Sequence, residues 1–132
     1  MRDWRWQQLK DALQVLAQSA EVQLAYFPDF VAKADELALD FNHFYEACLP
    51  EMTAEQVRAA SRIDMRLGDM SGPTGPWSDE DLRNAGEWVE IRQLAKRALE
   101  VFGWPDEAPP PSSDVYVPFP KRNADSANKL SS

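Results

Sequence analysis

The chain is poor in the residues that carry most recognisable chemistry. It holds one cysteine, Cys48, and one histidine, His43, in 132 residues. A single thiol excludes an intramolecular disulfide, and its place inside a helical pattern marks a small buried side chain in a reducing compartment. A single histidine falls short of the paired Glu-x-x-His motifs with which helical bundles hold a di-iron centre. No catalytic residue, metal or cofactor is expected.

Long apolar runs are missing too. No stretch approaches the ~18 residues of a membrane-spanning helix. The opening MRDWRWQQLK lacks the continuous apolar segment of a cleavable signal peptide, so none is expected there. Basic residues are scarce: 14 lysines and arginines stand against 22 acids, a formal net charge of −8. A surface of that sign does not displace counterions from nucleic acid or anionic lipid, so neither partner is expected. These absences leave a cytoplasmic protein whose partner would be basic.

Apolar residues are abundant and periodic. Trp6, Leu9, Leu13, Leu16, Ala20, Leu24 and Phe27 recur at steps of three and four, predicting a first helix from Trp4 to Pro28. After the Phe27-Pro28-Asp29 corner a second helix is read through Phe30, Ala34, Leu37, Phe41, Phe44 and Cys48, closing at Leu49-Pro50. Thr53 and Gln56 form a capping box for a third helix, which ends at Gly68 as a left-handed cap. A fourth helix starts at the Ser78 cap, with Asp79, Glu80 and Asp81 in its first turn, and runs to Phe102 before Gly103.

From Pro105 the composition changes, and six of the ten prolines follow. The predicted architecture is therefore all-α, an irregular four-helix bundle over residues 1–104 with an extended proline-rich C-terminal segment over 105–132. Val115, Tyr116, Val117 and Phe119 are apolar enough to strap back onto the bundle, whereas residues 123–132 are expected to be disordered.

Between the third and fourth helices lies MSGPTGPWSDEDL, residues 70–82. Its glycines precede a helix, yet no lysine of a phosphate-binding loop is present and three acids occupy the docking position. It reads as a stiff connection in which Gly72 and Gly75 supply unusual dihedrals. Trp77 is either a fastener against the fourth helix, the favoured reading, or an anchor for a partner.

Charge is uneven along the chain. Residues 21–51 carry seven acids against Lys33 alone. On the second helix Glu36, Asp40, His43 and Glu46 share the polar side, with acids three residues to either side of the histidine. These residues, with Trp77 as an aromatic anchor, are the candidate partner-binding set. Arg58, Arg62 and Arg66 form a basic ridge on the third helix, expected to pair with nearby acids. Trp4 and Trp6 point to opposite sides, so one is expected outside the core.

The expected function is thus protein binding, by an inhibitor, an immunity-type protein or an accessory subunit acting through an acidic helix face on a basic protein surface. Two alternatives stand beside it. One is a Mg²⁺- or Mn²⁺-dependent nucleotide hydrolase, if Glu87 and Glu90 converge with Glu36 and Asp40. The other is a homo-oligomeric structural protein joined through Trp4 and the tail.

Overall fold

Residues 4–110 are described by the structure, a computed structural model, and they form six α-helices. In order these are α1 (Trp4–Leu16), α2 (Ala20–Tyr26), α3 (Lys33–Cys48), α4 (Ala54–Asp69), α5 (Asp79–Asn84) and α6 (Gly86–Phe102), with a 3-10 turn at Leu49–Glu51. Among the described residues there is no strand, so the all-α expectation holds. α1 packs on α3 and on α6, α6 packs on α4, and α3 meets α4 along a shorter seam. Leu9, Leu13, Phe41, Ile63, Trp88 and Ile91 are fully buried between these layers.

The first helix stops where its apolar period continues. Ser19 takes extended dihedrals, and its hydroxyl accepts from the Val22 N–H at 3.3 Å, a cap that competes with the running helix. The restart rotates the buried position away from Leu24, which is only half-buried, and onto Gln23, which has 0% exposure. Gln23 Nε2 donates to the carbonyls of Val15 at 3.2 Å and Leu16 at 3.0 Å in the last turn of α1, where the Val15 carbonyl also accepts from the Gln18 N–H at 3.2 Å. Its Oε1 accepts from Arg92 Nε at 3.3 Å, and Arg92 also donates to the Leu82 carbonyl of α5. An amide so fully partnered can be buried without a large penalty.

The fourth helix is interrupted as well. Ala85 is extended, and its N–H closes α5 on the Asp81 carbonyl at 2.8 Å. Its neighbours Asn84 and Gly86 are weak helix formers, so little opposes the break. Arg83 is thereby directed to Glu21 of α2 at 3.3 Å, not to Glu87 one turn on.

Local signals hold at most other boundaries. Thr53 and Gln56 exchange capping bonds of 3.0 and 3.1 Å, and Ser78 and Asp81 form a second capping box. Gly103, at φ 75°, ends α6 in a Schellman arrangement in which the Trp104 N–H reaches the Leu99 carbonyl at 2.9 Å. The left-handed cap expected at Gly68 is absent, because α4 continues to Asp69; the positive φ in this region, 121°, belongs to Gly72. Phe30, expected on the buried side of the second helix, precedes the true start of α3 and is 80% exposed.

Of the N-terminal tryptophans, Trp6 is buried beside Phe102 and Trp104, whereas exposed Trp4 meets Phe44 edge-on at 5.7 Å. The proline-rich segment begins on the helices: Gln14 Nε2 donates to the Pro105 carbonyl at 3.0 Å, and Lys96 pairs with Asp106 at 2.9 Å. The strap expected at Val115, Tyr116, Val117 and Phe119, and the disorder expected over 123–132, lie outside the described residues.

Gln23→Leu takes the buried amide from the Leu16 carbonyl and leaves that of Val15 with the Gln18 N–H alone, so urea unfolding should show a loss of about 1–3 kcal/mol. A loss below about 0.5 kcal/mol would mean that those carbonyls and Arg92 find other partners.

Candidate functional site

Helical phase divides the polar surface of α3 into two faces. Asp35, Leu39 and Asn42 recur at steps of four and three, and Glu46 continues that phase. Glu36, Asp40 and His43 do the same about 100° further round the helix.

The first face looks onto α4. Asp35, Leu39, Asn42, Asp64, Leu67 and Trp77 line a groove of about 440 Å³ between the two helices. Asn42 Nδ2 donates to Asp64 Oδ1 at 2.8 Å, bridging α3 to α4. Leu39 is 55% exposed, an apolar side chain that the core does not use. Among the described residues lining the groove there is no lysine or arginine. The concavity continues past Trp77 to Ser71, Gly72 and Asp81.

Trp77 closes one end of this groove. Its indole N–H donates to the Met70 carbonyl at 2.9 Å, and its ring meets Trp88 edge-on at 5.7 Å. A side chain at Gly75 would overlap both the Met70 carbonyl and the Trp77 indole, so the loop needs glycine there for close approach. The same loop accepts the Trp88 indole N–H at the Pro76 carbonyl, 2.7 Å away. Trp77 therefore fastens the connection to α6 while its half-exposed ring still forms a groove wall.

The second face turns toward α1 and α2. Burial raises the Asp40 pKa to about 7, and the Glu36 charge adds to the effect. Tyr26 is pushed up to about 12 by burial and by the charges of Asp11 and Asp40. Asp11 is itself raised by burial, against the opposing hydrogen bond from Gln7 at 3.0 Å. Asp40 thus carries only part of its negative charge near neutral pH. His43 is exposed, with its ring edge-on to Phe44 at 4.6 Å, and Glu46 is exposed.

The candidate residues consequently fall on two adjoining surfaces. Trp77 lines the groove and Glu46 shares its helical phase, whereas Glu36, Asp40 and His43 occupy the neighbouring face. Asp35, Leu39, Asn42 and Asp64 complete the groove and were not among the candidates. Leu39 carried a readable signal, since it is apolar yet out of phase with the buried side of its helix.

Glu90 pairs with Arg66 at 2.8 Å. Among the described residues no three histidine, cysteine or acidic side chains come together as metal ligands, so Glu87 and Glu90 do not converge with Glu36 and Asp40. No helix among them is long and apolar enough to cross a membrane. Comparison with protein-family models, curated proteins and solved structures finds no match.

The Asp40 shift fixes a pH dependence. Its folded pKa of about 7 lies above the ordinary carboxylate value of 3.8, so the folded state binds the proton more tightly. The contribution of Asp40 to stability should fall as pH rises from about 4 to about 7 and level off above. Asp40→Asn should remove that fall, with the variant gaining most over the wild type above pH 7 in urea unfolding. A stability difference that stays constant across the range would contradict the assignment.

Proposed function

We propose that the protein is a protein-binding module of the cytoplasm that docks a basic amphipathic helix of its partner between α3 and α4. The scaffold is an irregular four-helix bundle of α1, α3, α4 and α6. The composition of the groove carries this reading: Leu39, Leu67 and Trp77 provide an apolar lining, while Asp35 and Asp64 supply its acids.

A partner helix with apolar residues at i, i+3, i+4 and i+7 would seat them on that lining and bring flanking lysines or arginines to the carboxylates. Glu46 and Glu36 enlarge the acidic surface around the groove, and the net charge of −8 steers a basic partner toward it. Asp40 contributes less charge than its position suggests, because burial holds part of it protonated. Such a module suits an inhibitor, an immunity-type protein or an accessory subunit.

The test is a calorimetric titration with a synthetic helical peptide carrying leucines on one face and lysines on the other. Saturable one-to-one binding is expected, with Leu39→Glu weakening it roughly tenfold or more. Leu39 is exposed, so that variant keeps the core intact. Asp35→Lys should slow association with little change in stability. Absence of binding, or equal binding by Leu39→Glu, would overturn the reading.

A further inference from the structure

The N-terminal half of α4 faces α6 across a second cleft, of about 430 Å³. Arg58 and Arg62, one turn apart on α4, line it together with Arg97 of α6. Four other basic groups are ion-paired: Arg5 with Glu51, Arg66 with Glu90, Arg83 with Glu21 and Lys96 with Asp106. Among the described residues Arg58, Arg62 and Arg97 have no ion-pair partner, although Glu55 and Glu100 line the same cleft. The ridge expected to pair with nearby acids therefore does so at Arg66, whereas Arg58 and Arg62 are exposed along the cleft.

Like charges four residues apart on a helix repel, and an anion seated between them would relieve that repulsion. Guanidinium groups present planar forks that match phosphoryl oxygens two at a time. Leu94 and Val101 add an apolar wall beside the charge. We propose that this cleft binds a small phosphate monoester, with its phosphoryl group among Arg58, Arg62 and Arg97 and its organic body against Leu94 and Val101.

The volume falls in the ~300–1,000 Å³ range of small-ligand sites. Glu55 and Glu100 in the lining, and the acidic charge of the whole chain, disfavour an extended polyanion such as nucleic acid. The ligand therefore carries its charge at one end. This site is independent of the α3/α4 groove, since the two clefts share no lining residue.

The arginine Nε–Hε signals in nitrogen-15 NMR read the site directly. Phenyl phosphate, inorganic phosphate and benzoate are titrated at constant ionic strength. Phenyl phosphate should shift Arg58, Arg62 and Arg97 saturably, leave Arg5 and Arg83 in place, and bind more tightly than either comparison anion. Arg62→Gln and Arg97→Gln should each weaken it roughly tenfold. These side chains are exposed, so unchanged tryptophan indole signals will show that the variants fold. Equal, non-saturating shifts at every arginine would indicate ionic screening and overturn the proposal, as would undiminished binding by both variants. Selective broadening of the same signals by vesicles containing phosphatidic acid, without a response to phenyl phosphate, would assign the cleft to a membrane surface and equally overturn it.

Discussion

Gln23 occupies the position where the apolar pattern calls for its neighbour Leu24, and it is tolerated there because every polar atom of its amide is engaged. It accepts from Arg92 and donates to the Val15 and Leu16 carbonyls in the last turn of α1, while Arg92 reaches on to α5. Both helix interruptions are thus tied to one polar contact under the core. Without it, the Leu16 carbonyl would lose its buried donor, and the Val15 carbonyl and the Arg92 guanidinium would each lose one of their partners, at a cost of about 1–3 kcal/mol, a sizeable share of a small domain's stability. The short helices α2 and α5 are held by this contact and by the Glu21–Arg83 pair, since helices of seven and six residues have little stability of their own.

The groove follows from how α4 is shared. Its C-terminal half lies beside α3, where the seam is thin and Asn42–Asp64 is the hydrogen bond across it. α6 runs along α4 with broad packing, from the Arg66–Glu90 pair to a cleft at the N-terminal half of α4 whose edges carry arginines. One helix therefore presents an apolar, acid-lined concavity toward one neighbour and a cationic cleft toward another. Trp77 stabilises the first by capping its end, anchored on the Met70 carbonyl and on Trp88.

Much of this was legible from local chemistry. The capping box at Thr53, the N-cap at Ser78, the corner at Pro28 and the left-handed Gly103 are set by residues within a few positions of one another. The breaks at Ser19 and Ala85 were not legible. Apolar spacing runs smoothly through both, and the groups that make the breaks tolerable, Gln23 and Arg92, are 69 residues apart. The same division holds at the site. Trp77 stood out in its glycine- and proline-rich surroundings, but Asp64 joins the groove only because α4 lies beside α3. Asp40 looked like a solvated charge because its helix period is ordinary; its burial arises where α1 and α2, with Asp11 and Tyr26, approach α3.

Trp77 gives the most direct view of the proposed docking groove, because it lines the groove while its indole N–H is held on the Met70 carbonyl. The decisive measurement is the indole region of a nitrogen-15 NMR spectrum recorded during titration with the leucine–lysine helical peptide. The Trp77 signal should move saturably while those of Trp6 and Trp104, clustered at the other end of α6, hold still. A Trp77 signal that stays fixed at saturation, or movement at Trp6 and Trp104 instead, would contradict it.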